Sequence, residues 1–196
     1  MAKRSVRDMW KAKLEGGHVA PSRSQPVTAG RRRFRGTILG VDPSLRGTGL
    51  AVIEFSGGEQ GLLLHSETVR MHRSASMPAC LGAIFRELTA CCQRYPVDVV
   101  ALEQTIHVQN FQTAQVLGAA RGAAIAAAAV AGKPVFEYAP LRVKQAVVGV
   151  GRASKEQMAK TVRGLLGHGA VLSADEADAA GTALCHAFTC QTEAEV

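Results

Sequence analysis

Thr37-Ile38-Leu39-Gly40-Val41-Asp42-Pro43-Ser44-Leu45-Arg46-Gly47-Thr48-Gly49-Leu50-Ala51-Val52-Ile53 is an apolar run ending in one aspartate, a turn rich in Pro and Gly, and a second apolar run that continues to Phe55. The pattern predicts strand, tight turn, strand, with Asp42 the only charge in its strand. Taking a carboxylate into such a run is costly unless it is paired, and a divalent cation is one natural partner. The other reading is an aspartate that hydrogen-bonds its own turn.

Working outward, Gly57-Gly58 marks a turn and Gly61 to Met71 reads as a third strand, which makes an antiparallel meander. From Pro78, Leu81, Ile84, Phe85, Leu88, Cys91 and Cys92 recur at helical spacing, and this helix ends near Tyr95-Pro96. Val97 to Leu102 is a short buried strand that delivers Glu103 at its end. Asn110 to Ala131 predicts a long helix, so rich in Ala and Gly that a neighbouring backbone can approach closely. Pro134 to Tyr138 is a fifth strand. Helices follow over Leu141–Val148 and Ser154–Gly167, around the turn Gly149-Val150-Gly151, and a last one runs from about Ala174 to Cys190. Three antiparallel strands followed by alternating helix and strand predict an α/β layer architecture.

The net charge of +7 is unevenly placed. Residues 1–35 hold ten Lys and Arg against two acids, and the rest of the chain 13 against 14. We therefore divide the chain into a basic arm (1–35), a near-neutral domain (36–190) and a short C-terminal tail (191–196). The arm mixes Lys and Arg with Gly, Ser and Pro and ends in Arg31-Arg32-Arg33-Phe34-Arg35, so most of it buries too little to fold alone. It is either a sequence-blind phosphate-binding arm or a solvated leader. Five cysteines, an odd count with no CxxC spacing, argue against a disulfide framework or a cysteine metal cluster and for a reducing cytosol. The longest apolar segment, Ala114 to Val130, is interrupted by Arg121 and is mostly Ala and Gly, which argues against a membrane span. The N-terminus lacks the apolar core of a secretory signal.

Acids stand where apolar or neutral residues are expected at Asp42, at Glu103 and at the pair Asp175/Asp178. Neighbouring strands would bring Asp42 and Glu103 close, and an i, i+3 pair projects from one helix face. Ser173 with Glu176 is a capping-box pattern that marks the start of that helix. Asp175 then has an alternative role, since the helix dipole favours an acid in the first turn. Asp178 lies deeper and needs a partner. Four carboxylates make an all-oxygen site, which selects Mg²⁺ or Mn²⁺ over zinc. Two such ions about 3.5–4 Å apart can activate water and stabilise the leaving oxygen of a phosphodiester.

The segments Ile38–Pro43, Ala101–Gln104, Leu117–Gly122 and Ala174–Ala179, with Val135–Pro140 continuing into Val143–Gly151, resemble the RuvC family of bacterial Holliday-junction resolvases, within the RNase H-like nuclease superfamily. The resemblance spans about Thr37 to Phe188. It implies an RNase H-like fold, a five-stranded mixed sheet flanked by helices. It also implies a cytoplasmic bacterial endonuclease that resolves four-way junctions in recombination and repair by paired nicks, leaving 5′-phosphate and 3′-hydroxyl ends. By position, Asp42, Glu103, Asp175 and Asp178 are the catalytic and metal-holding acids, for Mg²⁺ or substituting Mn²⁺, two ions per site. Lys144 and Lys155 fall at basic positions facing DNA, and Arg46, Gln104, Ile106, His107, Asn110 and Phe111 complete the expected DNA contacts. The family pattern often has an aromatic wedge three residues after the glutamate. Ile106 stands there instead, leaving His107 or Phe111 for that role. A homodimer is implied, for which helix 110–131 is either a packing surface or a helix buried in the monomer, and the branch-migration proteins RuvA and RuvB are implied partners; a membrane is not. The rival reading is a non-catalytic junction-binding module of the same fold, which would have lost acids. The Asp42–Gly49 turn also resembles the phosphate loop of sugar kinases and actin-like ATPases, but those need a second loop and a longer chain.

Overall fold

In strand β1 (Arg35–Asp42), Ile38, Leu39 and Val41 are fully buried while facing alternately up and down, so this strand must be covered on both faces. The computed structural model describes residues 34–58, 60–104, 110–167 and 171–190, and it supplies both covers. The remaining strands are β2 (Gly47–Ser56), β3 (Leu62–Arg70), β4 (Val97–Glu103) and β5 (Val135–Tyr138). The helices are α1 (Met77–Arg94), α2 (Phe111–Val130), α3 (Pro140–Val148), α4 (Lys155–Leu166) and α5 (Ala174–Thr189). Every helix and strand expected from the sequence is present.

The sheet order is β3-β2-β1-β4-β5. The first three strands pair antiparallel, whereas β4 and β5 run parallel to β1, so the sheet is mixed. Ile38, Ala51, Ile53, Val99 and Ala101 face α3, α4 and α5, while Leu39, Val41, Leu50, Val52, Val100 and Leu102 face α1 and α2. The result is three layers, helices on both sides of one sheet.

Helix α5 is the centre of one layer. It lies on β1, β2 and β4, and α3 and α4 cover its outer side with Val143, Val147, Met158 and Val162. Ten of its residues are buried, including Leu184, whose truncation to alanine would cost about 2–5 kcal/mol. Small residues make this depth feasible. A Cβ at Gly40 would collide with the Ala179 carbonyl, and one at Gly49 with the Asp175 carbonyl. Both glycines point to the α5 side of the sheet, and they set how closely this helix approaches.

The docking is oriented by polar contacts as well. Ser66 Oγ donates to Glu176 Oε2 (3.1 Å), and the Thr68 and Ser173 hydroxyls meet at 2.9 Å. The expected capping box is formed: Ser173 Oγ accepts from the Glu176 N–H, and the Glu176 carboxylate accepts from the Ser173 N–H. One glutamate thus caps its own helix and fastens it to the edge strand β3.

Helix α2 is positioned differently. Ala120, Ala124, Ala127 and Ala128 pack towards α1, and Arg121 makes a bidentate ion pair with Glu137 of β5, Nε–Oε1 and Nη2–Oε2 both at 2.6 Å. By length and composition alone α2 could cross a membrane, and 22% of its apolar window is buried here. Its close backbone approach, expected from the Ala and Gly content, does not occur at Gly118 or Gly122. A Cβ at either would meet nothing within 4 Å.

Candidate active site

Strand alternation sends Asp42 to the same face as Ile38, and Glu103 to the same face as Val99 and Ala101; that face is the one α5 covers. The pairing of Val41 with Leu102 brings Asp42 and Glu103 to the carboxyl ends of adjacent parallel strands. Asp42 is also opposite Gly49, the residue on which the Asp175 backbone rests. The Asp175 Oδ2 lies 3.3 Å from where a Cβ on Gly47 would stand. One turn along α5, Asp178 projects from the same helix face. The four acids expected to form a site therefore converge, two from strand ends and two from one helix.

Their electrostatics express the same proximity. Burial, then the charges of Asp178 and Asp175, raises the Asp42 carboxyl to about 6, against the pull of Lys155. Burial, then Asp42 and Asp178, raises Glu103 to about 7, against Lys144 and Lys155. Asp178 is raised too, chiefly by burial and then by Asp175, with Lys155 and Lys144 opposing. Two lysines, from α3 and from the first turn of α4, thus face this cluster and offset it only in part. Four half-buried carboxylates with an excess of negative charge are a donor set that could hold a hard divalent cation. Among the described residues, the one trio of His, Cys or carboxylate ligand atoms within 4.8 Å of one another lies elsewhere, at His65, Glu67 and Cys91. The four acids are spread over a wider site.

The turn after Asp42 does not depend on that aspartate. The Thr48 hydroxyl donates to the Ser44 carbonyl (2.5 Å) and accepts from the Ser44 N–H (3.2 Å). Arg46, an expected DNA contact, donates from Nη1 to the His72 carbonyl (2.6 Å) and from Nη2 to the Ala75 carbonyl (3.2 Å). Its guanidinium ties this turn to the β3–α1 connection. Asn110 Oδ1 accepts from the Gln112 and Thr113 N–H groups and so caps α2. Gln104 is exposed, and Phe111 is 74% exposed at the start of α2. Ile106 and His107, like the arm up to Arg33, lie outside the described residues.

Sequence reasoning missed the residues that hold the acids in place: Gly40, Gly49, Ser66 and Thr68. The available signal was the same-face spacing of Gly47, Gly49 and the facing Gly40, which only a known strand register turns into a helix seat. It also missed His186. That imidazole is fully buried in the last turn of α5, with Nδ1 2.8 Å from the Tyr138 hydroxyl and Phe34 and Phe136 against the ring. Burial lowers it to about 4, so it is neutral at ordinary pH.

Comparison with known proteins identifies the family. The family model described as crossover junction endodeoxyribonuclease RuvC matches residues 38–186. The chain belongs to the RuvC family. The RuvC crossover junction endodeoxyribonuclease of Trichlorobacter lovleyi is 44% identical over 149 residues, covering 76% of this chain and 83% of that protein. The Shewanella baltica RuvC is 44% identical over 155 residues, covering 79% and 88%. Among solved structures, Thermus thermophilus RuvC in complex with a Holliday junction substrate superposes with a TM-score of 0.75 at 35% identity, covering 79% of this chain and 94% of that one. The yeast mitochondrial Holliday junction resolvase Ydc2 gives a TM-score of 0.58 at 8% identity, a likeness of fold alone. The architecture is thus the RNase H-like fold of RuvC.

Proposed function

We propose that this RuvC-family chain is a metal-dependent endonuclease that resolves four-way DNA junctions, with Asp42, Glu103, Asp175 and Asp178 as its metal-holding acids. The observation that supports the assignment of residues is the convergence of Asp42 and Glu103, at the ends of adjacent parallel strands, with the first turns of α5, with Lys144 and Lys155 beside them. Bound divalent ions, Mg²⁺ foremost, would supply an activated water and a stabilised leaving oxygen. The protein's share is positional. Strands β1 and β4 aim two carboxylates, α5 aims two more, and the lysines offset charge where a scissile phosphate would sit. Burial and the neighbouring acids raise the Glu103 carboxyl to about 7, so holding a cation there would release a proton at neutral pH.

The reading extends to a homodimer in the bacterial cytoplasm, nicking two symmetric strands and working with RuvA and RuvB. The open face of α2, with Phe111, Gly118 and Gly122, supports the dimer, because small residues let a second helix approach. The basic segment 1–35 would add phosphate contacts without base readout. Its deletion would then weaken junction and duplex binding alike and flatten the dependence of affinity on salt.

The test is incubation with a synthetic four-way junction and Mg²⁺, beside a linear duplex. Junction nicking that chelation abolishes is expected. Undiminished nicking in excess EDTA would overturn the metal assignment, and junction binding without nicking at any Mg²⁺ or Mn²⁺ level would favour a non-catalytic module.

A further inference from the structure

Away from the acids, on the opposite face of the sheet, three side chains of different chemistry meet. His65 and Glu67 are two apart on β3, so both point to the α1 side, and Cys91 comes from α1 above them. Their ligand atoms all lie within 4.8 Å of one another. His65 Nε2 is 3.6 Å from Glu67 Oε1, and Cys91 Sγ is 3.9 Å from that same oxygen. In a tetrahedral zinc site, bonds of about 2.0–2.3 Å put ligand atoms about 3.3–3.8 Å apart, so these separations need to shrink only slightly around a central ion.

We propose that His65, Glu67 and Cys91 form a second metal site, for a borderline divalent ion such as Zn²⁺, that clamps the edge strand β3 to α1. The donor set separates it from the carboxylate site: nitrogen and sulfur favour zinc, whereas four oxygens favour Mg²⁺. Exposure fits a three-ligand site with water as the fourth partner. The His65 and Glu67 side chains are 24% and 35% exposed, while Cys91 is buried beneath them. The ring of His65 is also held in place, stacked on Tyr95 with centroids 5.5 Å apart. Without a cation the thiol keeps its proton, because burial and then the Glu67 charge push it up to about 12. Binding forms a sulfur–metal bond and releases that proton to solvent. Among the described residues β3 is an edge strand, and a tie to α1 would hold this edge against slippage.

Cobalt(II) reports on such a site, since a thiolate ligand gives a near-ultraviolet charge-transfer band that carboxylates do not. The full-length protein, with excess Mg²⁺ present, should show this band with one equivalent of Co²⁺, and Zn²⁺ should displace it. Zn²⁺ should also raise the melting temperature. Cys91→Ser should abolish the band, and His65→Ala, at a partly exposed position outside the buried core, should weaken Co²⁺ binding at least about 10-fold. Absence of the band in the folded wild type would overturn the proposal. So would a band that survives Cys91→Ser, which would place the ligand at another cysteine, or affinity unchanged by His65→Ala. The band reads Cys91 whether or not the four acids bind metal, so this result and that of the junction assay stand apart.

Discussion

Helices α2 and α5 are both rich in Ala, yet the fold uses them in opposite ways. In α5 ten residues are buried, and it is enclosed by the sheet beneath and by α3 and α4 above. In α2 only Ala120, Ala124, Ala127 and Ala128 are buried, and Gly118 and Gly122 face open space. Small side chains permit close approach but do not choose a partner. What distinguishes the helices is the facing surface: Gly40 and Gly49 leave a seat for α5, and Ser66 and Thr68 lock its first turn. The buried helix carries two of the four acids, so the precision of its seat is the precision of the site.

The largest expected effect comes from breaking α5 at its chemistry. Asp178→Asn keeps the shape and removes a charge. We expect junction cleavage to fall by more than about 100-fold, beyond the loss usual for an outer-shell partner of a metal, with junction binding retained. Band-shift and cleavage assays on one preparation read both. An Asp178 that serves only the helix would instead lower stability and spare cleavage.

Moving the seat should come next. Gly49→Ala forces the Asp175 backbone away from β2 and should cost about 1–3 kcal/mol in denaturant unfolding, with a cleavage defect beyond that of stability alone. The matched changes on α2, Gly118→Ala and Gly122→Ala, should stabilise by about 0.5–1 kcal/mol each, because their methyl groups enter open space. If that face also joins two copies, the same methyls should weaken the dimer in sedimentation.

Acid and base groups sharpen the contrast within α5. In the metal-free protein, the raised carboxyls of Asp42 and Glu103 burden the fold above their pKa values of about 6 and about 7, and that burden lifts as pH falls through them. The lowered His186 acts in the opposite sense. Its unfolded form takes up a proton near 6.5, so stability is lost from there down to about 4. Melting temperatures in EDTA should therefore rise modestly between pH 7 and 6, and should fall instead in an Asp42→Asn, Glu103→Gln variant. The same logic makes the half-saturating Mg²⁺ for cleavage rise as pH drops below about 7.

The smallest effect belongs to the ion pair that ties α2 to β5. Arg121 and Glu137 are each about a third exposed. A double-mutant cycle with Arg121→Gln and Glu137→Gln should give a coupling of about 0–1 kcal/mol. A much larger value would mean that α2 is held by this tie rather than by its alanine face.

Much of the architecture follows from local pattern. Alternation and turn residues marked all five strands, and helical spacing marked the helices, because a half-buried element must repeat its apolar residues at its own period. Asp42, Glu103 and Asp178 were legible as charges set in apolar surroundings, and the Ser173–Glu176 cap placed the start of α5. Arg46 and Asn110 illustrate the limit. Each reads as a polar residue beside a site, and only coordinates show its donors or acceptors engaged with the Ala75 and His72 carbonyls or the α2 N-terminus. Strand register, the seat at Gly40 and Gly49, the aromatic enclosure of His186 and the meeting of His65, Glu67 and Cys91 were decided by tertiary structure alone. Local sequence sets which face a side chain points to, whereas the element on the other side of that face comes from distant chain, joined through packing that leaves no periodic mark.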